Sequence, residues 1–166
     1  MTATYRLQLT PDFGFAEVEA LIPYLKRLGV SHLYLSPITE ARPGSTHGYD
    51  VVDPDPPNED LGVFLVCQDM VQALHEKNLG LVLDVVPNHM SINSPLNRWW
   101  WDVLENGPAS RFASHFDVDW EASEASPANR ILLPVLGDHY GRVLEQGDIQ
   151  IQRRENSFLA CYFEHE

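Results

Sequence analysis

Cysteine is almost missing from this chain of 166 residues, and positive charge is scarce. Cys67 and Cys161 stand far apart, without the spacing that metal or redox work requires. Thiols this sparse suit a reducing compartment. Eleven Lys and Arg face 24 Asp and Glu, for a net charge of −13, which argues against nucleic acid because phosphate binding needs a basic patch. A neutral ligand fits better, although on charge alone acidity is better explained by solubility. No run of about 18 apolar residues is present to span a membrane. Met1 to Arg6 lacks the basic segment and apolar core of a secretory leader. The expected location is cytoplasmic. Internal repeats and low-complexity stretches are absent as well.

What is present is an alternation of strand and helix signals. Residues 4 to 9 alternate, with Tyr5, Leu7 and Leu9 on one face and Arg6 and Gln8 on the other, which predicts a first strand. Val18, Leu21, Ile22, Leu25 and Leu28 follow at helical spacing, with Lys26 and Arg27 in the last turn and Gly29 as the stop. Pro23 predicts a kink there, or a fresh start. Residues 30 to 36 predict a second strand closed by Pro37. A long loop is expected from 37 to about 61. Its length and its density of motif residues point to function. A second helix is predicted over about 62 to 78, with Val66, Met70, Ala73 and Leu74 on one side and Asn78 or Gly80 at its end. This order implies a parallel sheet, without separating a barrel from an open doubly wound sheet. After Met90 helical repeats fade. Strand-like runs appear near 131 to 136 and 149 to 163, the latter as a hairpin around Arg154-Glu155-Asn156-Ser157.

The third strand carries the most informative residues. Leu79 to Val86 is almost wholly apolar, as expected of a parallel strand covered on both faces, and Asp84 is its one charge. A carboxylate there costs several kcal/mol unless paired or hydrogen-bonded, so a partner is required. Pro87 ends the ladder, and Asn88 and His89 project from the strand end, where parallel α/β folds place their chemistry. Taken singly, other residues stay ambiguous. Tyr49 after Gly48 is either a packing anchor or a ring for a sugar face. Asp50 either binds hydroxyls or closes an Asx-turn, and Asp53 reads as a loop capper. His47 and Arg42 line the loop, Arg42 with the option of pairing with Glu40. Three adjacent tryptophans, Trp99 to Trp101, cannot share one face, so at least one belongs to the core.

Asp84-Val85-Val86-Pro87-Asn88-His89 resembles the first signature segment of the α-amylase superfamily of glycoside hydrolases and transglycosylases. His47-Gly48-Tyr49-Asp50-Val51-Val52-Asp53 is similar to that superfamily's loop after the second strand. Four longer phrases narrow the resemblance to the maltooligosyltrehalose synthases: Tyr5-Arg6-Leu7-Gln8-Leu9, Ser36-Pro37-Ile38 with the run Ala41 to Asp50, Arg98 to Gly107, and Leu132 to Asp138. The resemblance covers nearly the whole chain.

It implies an α/β fold: the N-terminal part of a (β/α)8 barrel, with its first three β-strands and two helices over residues 1–90, followed over 91–166 by part of a domain inserted after strand 3. A complete barrel needs roughly 250 residues, so the chain is expected to be an N-terminal piece. It further implies that Tyr49 stacks on the reacting glucose, that Asp50, His47, Asn88 and His89 face the substrate, and that Asp84 supports them. The catalytic nucleophile and acid/base belong to later signature segments and are expected downstream. Asp102 and Glu105 are not nominated in their place. The implied reaction of the full enzyme converts the reducing-end α-1,4 linkage of a maltooligosaccharide to α,α-1,1 by double displacement. The 166 residues alone are expected to be inactive, with the remainder of the barrel as their partner. A hydrolase of the amylase type and a non-catalytic glucan-binding module are the alternatives. No cofactor is expected. The resemblance implies that Asn88 holds either the backbone of the inserted domain or, as in some amylases, a calcium ion; no acidic cluster accompanies it here, so no metal is assigned.

Overall fold

The computed structural model describes residues 1–121, 129–155 and 157–163. Two compact units divide the chain, Met1–Asp117 and Val118–Glu166.

In the first unit, strands β1 (Thr4–Leu7), β2 (His32–Leu35) and β5 (Gly80–Leu83) form a parallel sheet in the order β1-β2-β5. Helices α1 (Phe15–Leu28) and α2 (Phe64–Glu76) connect them. The register aligns Arg6 with Tyr34 and Tyr34 with Val82. Because side chains alternate along a strand, Leu7, Leu9, Leu33 and Leu35 share one face, which packs on Phe15, Val18, Ile22 and Leu25 of α1 and Met70 and Leu74 of α2. Arg6, Gln8, Tyr34 and Asp84 are left on the other.

Helix α1 runs through Pro23 as one element instead of beginning afresh. Pro23 lies on the solvent side, where water can take the carbonyl it leaves unbonded. Its cost of about 3 kcal/mol is exceeded by burial of Phe15, Val18, Ile22 and Leu25, each worth about 1.5–3 kcal/mol. The helix opens at Gly14, whose N–H donates to the Glu17 carboxylate at 2.9 Å. A Cβ on Gly14 would lie 2.2 Å from the Leu61 carbonyl oxygen, so only glycine allows this approach. Gly29 ends α1 with a φ of 89°. Asn78, at a φ of 52°, follows α2 and is the stop chosen there.

Two expectations for this unit need correction. The stretch 37–61 is not a plain loop. It holds an antiparallel pair, β3 (Thr39–Ala41) and β4 (Val51–Pro57), and a 3-10 turn at Glu59–Leu61. Three prolines in β4 hid the strand, yet the pairing is irregular and needs few of the N–H groups that proline lacks. The third parallel strand ends at Leu83, and Leu83 and Val85 are 41% and 70% exposed instead of covered on both faces. Among the described residues β5 has a strand neighbour on one side only, β2.

Beyond β5, α3 (Arg98–Asn106) carries the tryptophan triplet. Its cap is Asn97, which is fully buried. The Asn97 Oδ1 accepts from the Trp100 N–H at 2.9 Å, and its Nδ2 donates to the Ser91 carbonyl at 2.9 Å. Asn97→Ala removes the cap and orphans a carbonyl, each worth about 1 kcal/mol. We expect a loss of about 2 kcal/mol, with Asn97→Asp intermediate, read from the urea midpoint of tryptophan fluorescence.

The second unit contains α4 (Tyr140–Gln146) and a hairpin of β6 (Ile149–Arg154) and β7 (Ser157–Tyr162). Arg154 pairs with Ser157 across the turn, where the spacing predicted it; Asn156 lies outside the described residues. Residues 131–136 form no strand. The Tyr162 hydroxyl accepts from the Gly137 N–H at 3.0 Å. Helices α3 and α4 both lie in the region where helical repeats fade in the sequence.

Candidate functional site

The polar face of the sheet converges on Asp84. One residue past β5, its N–H donates to the Leu35 carbonyl at 3.0 Å and extends the ladder. Its Oδ2 accepts from the Tyr49 hydroxyl at 2.6 Å and from the Tyr34 hydroxyl at 3.0 Å. The required partners are thus two phenols. Arg6 stands beside them: Nη2 donates to the Tyr49 oxygen at 3.3 Å and to Gln8 Oε1 at 3.0 Å, and the guanidinium lies 5.6 Å from the centre of the Tyr34 ring.

The electrostatics follow this geometry. The Tyr49 hydrogen bond, aided by Tyr34 and the Arg6 charge, holds the Asp84 carboxyl below its ordinary range against the opposing effect of burial. The carboxylate pushes the Tyr34 phenol up. Arg6 is held still more firmly protonated, chiefly by Tyr49. Asp84 therefore stays an anion that accepts, while Tyr34 stays a neutral phenol that donates.

Tyr49 sits on a loop braced from within. Gly48 takes a φ of 77°, and a Cβ there would lie 2.9 Å from the Pro37 carbonyl oxygen. Ser45 Oγ accepts from the Gly48 N–H at 3.0 Å and donates to Asp50. Asp50 also takes the Arg42 guanidinium at 3.5 Å, so the partner of Arg42 is Asp50 and not Glu40. Asp53 accepts from the Asp55 N–H at 3.0 Å, the capping turn expected of it.

The two histidines meet the Tyr49 backbone. His47 Nδ1 accepts the Tyr49 N–H at 3.0 Å, so the neutral ring carries its proton on Nε2. Its ring packs near-parallel on Tyr49 at 6.0 Å. His89 Nε2 lies 3.0 Å from the Tyr49 carbonyl and must therefore donate. Asn88 is exposed at the strand end. Tyr49, His47, Asp84 and His89 are brought together, while Asp50 is engaged within its own loop. Among the described residues, no three His, Cys, Asp or Glu side chains gather as a metal site.

Sequence reasoning missed Arg6, Gln8 and Tyr34. Their signal was parity: each occupies the polar side of a strand whose other side is apolar. The tryptophans diverge as geometry requires. Trp100 is buried, Trp99 stacks on Phe112 at 4.9 Å, and the Trp101 Nε1 donates to the Ser94 carbonyl at 3.2 Å.

Parallel strands with helical connections and polar residues gathered at the strand ends define a mixed α/β fold, and residues 17–130 match the model of the α-amylase catalytic domain, which makes it a fragment of that family's barrel. The chain belongs to the α-amylase family. Within it, the chain is 45% identical over 141 residues to a Mycobacterium tuberculosis (strain H37Rv) protein provisionally assigned as a maltooligosyl trehalose synthase. That match takes in 81% of this chain and 18% of the relative. The structure of maltooligosyltrehalose synthase from Arthrobacter ramosus superposes with a TM-score of 0.82 at 39% identity, over 99% of this chain and 20% of that one. An intracellular maltogenic amylase of Bacillus subtilis is 30% identical over 154 residues, 91% of this chain and 23% of the relative. The chain thus spans about a fifth of the length of these relatives. No helix among the described residues is long and apolar enough to cross a membrane.

Proposed function

We propose that the chain is the N-terminal part of an α-glucan-active enzyme that rearranges the reducing-end α-1,4 linkage of a maltooligosaccharide to α,α-1,1 by intramolecular transglucosylation. The observation that carries this reading is the Tyr49 hydroxyl on Asp84 at 2.6 Å, which joins the loop motif to the strand-end motif. The likeness to synthases along almost the whole chain supports it. In this reading β1, β2 and β5 are the first three barrel strands, residues 1–90 belong to the barrel and 91–166 begin the inserted domain. The Tyr49 ring packs on the reacting glucose, His47, Asp50, Asn88 and His89 line its surroundings, and Asp84 holds Tyr49 in place. Double displacement needs two carboxyl groups flanking the scissile bond, and these lie outside the 166 residues. The chain alone performs no turnover. The sparse thiols suit a cytoplasmic protein.

The test is to isolate the native polypeptide, located by peptides from residues 80–90, and incubate it with maltopentaose. A mass several times 18.8 kDa, with loss of reducing ends and no release of short sugars, is the expected result. New reducing ends would instead favour a hydrolase, the reading that the likeness to the maltogenic amylase supports. Saturable binding without product, from an 18.8 kDa polypeptide, would make it a glucan-binding module.

A further inference from the structure

We propose that Arg6 is a positioning residue that sets the pose of the Tyr49 ring from strand β1. The inference rests on the reading of Tyr49 as the ring that meets the sugar.

The direction of each hydrogen bond carries it. Tyr49 has one phenolic proton, which goes to Asp84 Oδ2 at 2.6 Å. Its oxygen must then accept, and the donor is Arg6 Nη2 at 3.3 Å. Gln8 is oriented just as definitely. Its Nε2 donates to the Leu9 and His47 carbonyls, both at 3.2 Å, which turns Oε1 toward Arg6. Nη2 of this exposed guanidinium thus donates to Tyr49 and to the residue that ties down His47. A solvated surface arginine has no reason to choose those partners. Arg6 and Gln8 form a strap from the end of β1 to the 45–50 loop, while Asp84, itself held by the Tyr34 hydroxyl of β2, holds the same phenol from just past β5. The Tyr49 backbone is held at His47 and His89. Without Arg6 the phenol keeps its anchor on Asp84 but loses the one that limits its swing toward or away from β1.

The experiment uses the full-length polypeptide without sugar. Amide exchange of a peptide covering residues 43–50 is compared among the wild type, Arg6→Met, Arg6→Lys, Tyr49→Phe and the Arg6→Met/Tyr49→Phe double variant. Arg6→Met keeps the apolar stem and removes the donors. We expect exchange in that peptide to rise about tenfold, a coupling of ordinary size for contacting residues, with no change in α1. Arg6→Lys should recover part of the protection. In the Tyr49→Phe background, Arg6→Met should add less than it does in the wild type, because only its bond to Gln8 is left to lose. A rise shared by α1 and β1, unchanged exchange at 43–50, or additive effects of the two substitutions would each overturn the proposal. In turnover of maltopentaose, Arg6→Met is expected to raise KM about tenfold and to change kcat by less than about threefold. Inactivity of the wild type would sink the proposed reaction, and the exchange comparison would still decide the role of Arg6.

Discussion

Phe15→Ala is expected to lower stability by about 3–5 kcal/mol, the cost of removing a large aromatic ring from a packed core. Phe15 opens α1 and is fully buried. Its surroundings have little room to collapse. The preceding Gly14 is already pressed against the Leu61 carbonyl, and Gly62 lies so near that a Cβ on it would come within 3.2 Å of Phe15 Cδ2. Two rigid backbone segments therefore frame the ring, and the cavity left by alanine stays open. Urea denaturation followed by circular dichroism should show the midpoint falling with an unchanged slope. A loss below about 1 kcal/mol would mean that the 58–62 turn moves in to fill the space. Because that turn follows the strand pair flanking the Tyr49 loop, the substitution also tests whether the core and the site share one framework.

Asp84→Ala is expected to reduce kcat/KM of the full-length polypeptide about 100-fold. Two hydrogen bonds to a carboxylate are lost, each worth about 1.5–3 kcal/mol, and a loss near 3 kcal/mol at the transition state is a factor of about 100. The same carboxylate predicts an acid limb of stability. Its pKa is depressed in the folded chain, so the unfolded chain takes up the proton first as pH falls. The stabilisation is complete above the ordinary carboxylate range and is lost as pH falls through the depressed folded value. Asp84→Asn should accordingly flatten the fall of the thermal midpoint with acid, and its alkaline absorbance titration should show the Tyr34 phenol ionising at lower pH than in the wild type, because the carboxylate that holds it up is gone. If the acid limb is unchanged, other groups set it and Asp84 is only a spacer. Full activity in Asp84→Ala would show that Tyr49 needs no support from below.

Much of this arrangement was legible in the chain. Alternation in Tyr5 to Leu9, helical spacing from Val18 to Leu28 with Gly29 as its stop, and the apolar run before Asp84 determined the order of strands and helices, because local periodicity and capping depend on nearby residues. The hairpin at Arg154 and Ser157 was equally local. A single charge in an apolar run also predicted that Asp84 has partners, since an unpaired carboxylate in a covered strand is costly; it has them although it lies just past β5 and is only half-buried. Which partners it has was decided by tertiary structure alone. Tyr34 and Tyr49 reach Asp84 from positions 50 and 35 residues away in sequence, and Arg6 joins them only because the parallel register aligns it with Tyr34. Tertiary pairing also turned the proline-rich 51–57 stretch into a strand against local preference. It left Leu83 and Val85 exposed as well, since a strand is covered only where neighbours exist to cover it. Periodicity and capping act along the chain, whereas register, pairing and burial are settled between segments, and the Asp84 site belongs to the second kind.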